Sequence, residues 1–233
     1  MKRLILAAAG LLVFTLIQAQ SLEEIVKKYT VANKLDKLSS LSSIKVTAKM
    51  SMMGMEMPME MWMKNPNKIK TVTKIAGQEM IQVFDGEKGY SINPMAGSST
   101  PVEMPADQAK QTLRGNYFQN YMATFLKEGK LKLEGEESVN GKPAFKIKAD
   151  IDGGNFMYMF IDKESYLLQK SSISASQNGT EVTVDSFPSD YKETNGVLLP
   201  MKTTQSVSGM EMVTIFEKVE VNIPMDDSIF KIK

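Results

Sequence analysis

The chain has 233 residues, with 28 basic and 27 acidic side chains, no histidine and no cysteine. Disulfides, a Ser-His-Asp triad, a cysteine nucleophile and a His/Cys zinc site are all excluded. A near-neutral chain without a basic block gives no electrostatic reason to bind nucleic acid.

The first element in chain order is a targeting segment. Lys2 and Arg3 precede an apolar run from Leu4 to Ile17, broken only by Gly10 and Thr15. Ala19-Gln20-Ser21 then turns polar. This order predicts a secretory signal peptide over 1–20, cut after Ala19 or Gln20, because the run falls short of the ~20 residues that span a bilayer. No cysteine follows, so a thioether-linked lipid anchor is not expected. The mature chain, 21–233, is expected to be one domain, soluble and periplasmic. Losing Lys2 and Arg3 leaves it 26 basic against 27 acidic side chains.

Ser21 and Glu24 form an S-x-x-E capping box. Leu22, Ile25, Val26, Tyr29, Ala32 and Leu35 then recur at helical spacing, predicting one amphipathic helix over 22–38, ended by Ser39 to Ser43. From Ile44 the period becomes 2: Ile44, Val46, Ala48, Met50 and Met52 alternate with polar residues as in a half-buried strand. Met53-Gly54 is a turn, and alternation resumes from Met55 to Met63. Strands follow at 68–75, 79–84 and 88–92, with Gly77 and Asp85-Gly86 between them. Residues 93–104 read as loop.

Two mid-chain helices are predicted. One runs from Asp107 to about Arg114; the other is capped by Asn116, stopped by Gly129, and carries Tyr117, Phe118, Tyr121, Met122 and Phe125 on one flank. The remainder reads as strands at 130–138, 143–151, 155–161, 166–174, 180–187, 197–207, 210–222 and 228–231. Short Gly-containing turns at Asn140-Gly141, Gly153-Gly154, Asn178-Gly179, Asn195-Gly196 and Ser208-Gly209 argue an antiparallel meander.

Eight of the fourteen residues from Met50 to Met63 are methionine. Strict alternation puts Met55, Met57, Met59, Met61 and Met63 on one strand face, opposite Glu56, Pro58, Glu60 and Trp62. Met157-x-Met159 and Met210-x-Met212 repeat the spacing. Three readings are open. Methionine fills irregular cores, but it specifies them weakly. Unbranched, polarisable side chains also suit a deformable apolar cavity for variable hydrophobic ligands, which so dense a stripe favours. Thioethers, finally, are soft ligands that select Cu(I), with Met55, Met57 and Met59 as the candidate set.

No catalytic constellation is found. Asp85-Gly86-Glu87 reads as a turn, and no EF-hand spacing is present. Glu134, Glu136 and Glu137 read as a solvated strand face. Asn178-Gly179-Thr180 fits a glycosylation sequon but reads as a hairpin turn.

Several segments together resemble the LolA-like family of bacterial outer-membrane lipoprotein-sorting proteins, in its Bacteroidetes-type branch. They are SLEEIVKKYTVANKLDKLSSLSSIKVTAKM (21–50), KNPNKIKTV (64–72), MIQVFDGEKGYSINPM (80–95), GKPAFKIKADIDGGNFMYMFIDKESYLLQK (141–170), FPSDYKETNGVLLP (187–200) and VNIPMDDSIFKIK (221–233). One departure stands out: Asn33-Lys34 occupies the place where relatives often carry a glycine pair.

The resemblance implies a mainly β (α+β) fold, an incomplete antiparallel β-barrel of about 11 strands with an N-terminal helix and mid-chain helices that plug or lid it. It implies binding of lipid or acyl chains, delivered between membrane-bound donor and acceptor proteins, by a monomer that is not an enzyme and needs no cofactor. On that expectation Met50, Met52, Met55, Met57, Met59, Met61 and Met63 line one wall of the pocket. Tyr117, Phe118, Tyr121, Met122 and Phe125 form a movable lid. An envelope-stress or lipid sensor using the same pocket is the alternative role, beside the Cu(I) reading.

Overall fold

Ser21 caps the first described helix as the capping box predicts: its hydroxyl accepts the Glu24 N–H at 3.2 Å and opens helix α1 (Leu22–Ala32). This computed structural model describes residues 20–106, 108, 109, 112, 118–151, 155–177, 180–207 and 209–232. The expected signal segment therefore lies outside the described residues, but for Gln20. So do Asp107, Arg114, Asn116 and Tyr117 of the expected mid-chain helices.

The helix predicted over 22–38 is two helices, α1 and a short α2 (Leu35–Leu38). The break falls at Asn33-Lys34. Asn33 leaves helical geometry (φ −88°, ψ 1°), and Lys34 takes a left-handed φ of 53°. The Asn33 amide explains the stop: its Nδ2 donates to the Tyr29 carbonyl at 2.8 Å and to the Tyr166 carbonyl at 3.1 Å. Lys34 adds an ion pair with Glu193. A glycine pair would reach the left-handed turn without steric cost, whereas here side-chain bonds hold it.

The sheet has thirteen strands, against about 11 expected. They are β1 (Ser43–Met52), β2 (Met55–Lys64), β3 (Lys68–Ile75), β4 (Gln78–Phe84), β5 (Gly89–Asn93), β6 (Ser98–Glu103), β7 (Leu131–Val139), β8 (Lys142–Asp150), β9 (Phe156–Asp162), β10 (Leu168–Gln177), β11 (Thr180–Thr194), β12 (Val197–Val207) and β13 (Met210–Val221). Strand order is β6-β5-β4-β3-β2-β1-β13-β12-β11-β10-β9-β8-β7, and neighbouring strands pair antiparallel throughout the described residues. The chain thus makes two meanders joined by the β1–β13 pair, with β6 and β7 as open edges.

Two departures from expectation are local. β6 forms in the predicted loop 93–104 and carries Pro101, which an edge strand tolerates because it can do without the N–H that proline lacks. Of residues 228–231, read as a strand, the first three belong instead to a 3₁₀ turn (Asp227–Phe230), followed by Lys231 as its C-cap and opened by Asp226, whose carboxylate accepts the Ser228 N–H at 2.8 Å.

Cross-strand partners share a sheet face. In the β1–β2 register Ile44 opposes Met63, Val46 opposes Met61, Ala48 opposes Met59, Met50 opposes Met57 and Met52 opposes Met55. This is the face that bears the helices. Its first core gathers Leu38, Leu41, Ile44, Val46, Ala48, Met59, Met63, Phe118, Val197 and Leu199. A second core, under α1 and helix α3 (Tyr121–Lys127), gathers Ile25, Val26, Met122, Phe145, Ile147, Met159 and Ile161. Burying a side chain such as Ile25, fully enclosed here, is worth roughly 1.5–3 kcal/mol.

A third cluster seats Met225 and Phe230 of the C-terminal segment against Val83 and Trp62. Lys64 and Lys68 clamp that segment through Asp227, at 2.7 and 2.8 Å.

Candidate ligand cavity

Between the helices and the second meander lies a cavity of about 330 Å³. α1 contributes Tyr29, Asn33 stands just beyond it, and α2 gives Leu35 and Leu38. Gln119, Asn120, Tyr121 and Met122 come from the start of α3 and the residues before it. The sheet wall is Met157 and Met159 of β9, Leu168 and Ser171 of β10, Pro188 and Tyr191 of β11, and Leu198, Leu199 and Pro200 of β12.

Period-2 alternation sets this wall. Met159 opposes Ser171, and Met157 opposes Ile173, so the Met-x-Met pair of β9 faces inward with alternate β10 residues. The outward residues Phe156 and Tyr158 lie instead beneath the ammonium groups of Lys148 and Lys146, at 4.3 and 4.8 Å.

The helical roof is fixed by polar bonds at its margins. Asn120 caps α3 by accepting the Ala123 N–H at 3.1 Å, and its Nδ2 donates to Thr30 Oγ1 of α1 at 3.0 Å. This cap corrects the expectation of Asn116: the described helix starts four residues later. Its end is as expected, with Gly129 at φ 67° and the Lys130 N–H donating to the Phe125 carbonyl at 2.9 Å. On the other side the β9–β10 turn meets α1 through Tyr166. Its hydroxyl accepts from Lys28 at 3.3 Å and donates to Gln20 at 3.0 Å, and its ring stacks on Phe145.

Asp162 organises that turn. Its carboxylate accepts the Ser165 N–H at 2.7 Å, the Ser165 hydroxyl at 2.9 Å, the Glu164 N–H at 3.0 Å and the Gln169 amide. Burial alone would raise this carboxyl, but the four donors outweigh it and hold it below the usual carboxylate range.

Inside the cavity the polar groups are few. Tyr191 donates its hydroxyl to the Leu168 carbonyl at 2.9 Å, and Asn33 is occupied by its two carbonyl bonds. Burial pushes the Tyr29 phenol from 10.0 up to about 12, so it stays neutral at any physiological pH. The site is thus a largely apolar void with few polar groups. Among the described residues, no group of three or more His, Cys, Asp or Glu side chains is placed to hold a metal ion.

The structure divides the residues singled out from sequence. Tyr121 and Met122 line the cavity. Phe125 packs against the second core, and Phe118 is buried in the first. Tyr117 lies outside the described residues. Of the methionine stripe, Met57, Met59 and Met63 are buried, Met50, Met52 and Met61 are half-buried, and Met55 is exposed. None of these seven appears in the cavity lining.

Sequence reasoning missed Tyr29, Leu35, Leu168, Tyr191 and the Leu198-Leu199-Pro200 run. The Met157-x-Met159 spacing was the signal that pointed to this wall.

No protein-family model matches the sequence, nor does any curated protein. Solved structures do match in three dimensions. A LolA superfamily protein from Nitrosomonas europaea superposes with a TM-score of 0.61 at 14% identity, over 91% of this chain and 98% of its own. The fold is LolA-like. A domain assigned to outer-membrane lipoprotein sorting from Vibrio parahaemolyticus gives a TM-score of 0.59 at 10% identity, over 90% and 97% of the two chains. A DUF1329 family protein from Desulfovibrio piger gives 0.58 at 13% identity, over 89% and 97%. At such identities the likeness concerns the LolA-like architecture: an open antiparallel sheet with helices against one face.

Proposed function

We propose that this protein binds the hydrophobic part of a lipid or acylated lipoprotein in the cavity beneath α1, α2 and α3, and carries it across the periplasm. The observation that carries this reading is the apolar void of about 330 Å³ between helices and sheet. Its volume sits at the low end of ligand pockets, roughly 300–1,000 Å³. The assignment of the similar Vibrio domain to lipoprotein sorting supports the same class of cargo.

The activity is binding and release. Moving about ten methylenes from water into an apolar site recovers roughly 8 kcal/mol in gross terms, at about 0.8 kcal/mol each. Ordering and association costs leave a smaller net affinity. The roof gives a way to load: α1, α2 and α3 meet the sheet through side chains and a few hydrogen bonds, so they can separate from it without breaking strand pairing.

Residues 1–20 are read as the export signal and 21–233 as the carrier domain. No described helix is long and apolar enough to cross a membrane.

Expression from Ser21, purification without detergent and mass spectrometry of the organic extract test the proposal. Stoichiometric copurifying lipid is expected. An empty extract from protein that also takes up no fatty-acid probe would overturn it.

A further inference from the structure

Two hairpins far apart in sequence end side by side. β1 pairs with both β2 and β13, and at its last residue Met52 stands opposite Met55 on one side and Met212 on the other. Directly opposed residues share a face, with Cβ atoms about 4.5–5.5 Å apart. Three thioethers therefore form one row at the end of the sheet. In the next row Met50 faces Met57. Beyond Met212 the row continues to Gln205 and Ser186, so it contains no charged residue.

Packing does not account for this row. Met55 is 53% exposed, and Met53 and Met210 at the adjoining hairpin ends are 78% and 51% exposed. Met52 and Met212 are half-buried. A core would cover these side chains, and a water-facing strand end favours polar or β-branched residues. What the five positions share is sulfur on a flexible stem with three rotatable bonds.

We propose that Met52, Met55 and Met212 form a thioether site for Cu(I), with Met50 and Met57 closing its inner side. Thioethers are soft ligands that select this ion. The uncharged row sets no ammonium group against it. The set differs from the single-strand ladder Met55, Met57 and Met59: Met57 and Met59 are only 4% and 8% exposed, and Met59 faces Ala48 and Thr73 two rows inside. The site shares no residue with the lipid cavity, so either assignment stands without the other.

Competition against a chromophoric Cu(I) chelator under ascorbate tests it. The chain from Ser21 onward is expected to withhold one Cu(I) per molecule. Its affinity should be flat between about pH 5 and about pH 8, because thioethers release no proton on binding. Replacing Met52, Met55 and Met212 together by leucine, close in volume, should weaken binding by at least about tenfold. The Met157→Leu, Met159→Leu pair should leave it unchanged. Wild-type protein that fails to compete, or a triple variant of undiminished affinity, would overturn the site. Should the triple variant unfold, ¹³C-methyl methionine spectra of the wild type with Ag(I) decide: shifts confined to this patch support the site, and shifts elsewhere contradict it.

Discussion

At the residue scale, the break between α1 and α2 shows how one side chain shapes the cavity. Asn33 is 5% exposed, and its amide joins the end of α1 to the turn before β10. Replacing it by alanine removes both bonds and takes this donor from the Tyr166 carbonyl, while the Tyr29 carbonyl keeps the Asn33 N–H, so Asn33→Ala should cost about 1–3 kcal/mol in urea unfolding. Lys34→Gly keeps the left-handed turn and loses only a partly exposed ion pair with Glu193; it should stay within about 0.5 kcal/mol of the parent. Equal losses in the two variants would mean that the backbone turn, not the amide, holds the junction. The sequence offered no view of this. Periodicity from Leu22 to Leu35 is continuous, and the partner that stops the helix, Tyr166, is 133 residues away.

At the element scale, docking depends on a few close contacts. A Cβ built on Gly89 of β5 would lie 3.0 Å from Ala109 Cβ and 3.1 Å from Met104 Sδ. Gly89→Ala should therefore cost about 1–3 kcal/mol, read as a lowered urea midpoint, by pushing Met104 and Ala109 away from β5. The C-terminal segment depends on charge instead. The ammonium groups of Lys64 and Lys68 hold the Asp227 carboxyl down from 3.8 to about 2. A depressed carboxyl stabilises the fold above its ordinary pKa and loses that contribution as pH falls through the folded value. Undocking is thus expected as pH drops from about 4 toward about 2, for a pKa lowered from 3.8 to about 2. Trp62, the sole tryptophan, packs in the same cluster and reports it by a red shift in emission. Asp227→Asn should lose that acid transition; an unchanged profile would assign it elsewhere.

At the scale of the whole molecule, the meander was legible because both signals are local. Alternation from Ile44 to Met63 gives β1 and β2 almost to the residue, Met53-Gly54 gives the turn between them, and Asn195-Gly196 gives the turn from β11 to β12. Ser21 likewise announced α1. The cavity was not legible. Alternation says which residues share a face, but not which stretch of that face the helices cover tightly. Leu38 and Phe118 pack over Met59 and Met63, whereas Tyr29, Tyr121 and Met122 border a void between the helices and β9–β12. The dense stripe thus drew attention to the better-packed wall, and the sparser Met157-Met159 pair lines the space. Edge strand β6 was hidden by Pro101 and the Gly-Ser run before it, both ordinary loop signals.

In the proposed function, hydrophobic ligand enters this void. Titration of a fluorescent fatty acid into the wild type, Ser171→Phe and Met61→Leu tests it most directly. Ser171 opposes Met159 on the cavity wall, so a ring there fills the space, while Met61 lies in the first core's periphery. Saturable binding to the wild type and to Met61→Leu is expected, weakened at least about tenfold in a folded Ser171→Phe. Undiminished binding by Ser171→Phe, or loss in Met61→Leu alone, would contradict it.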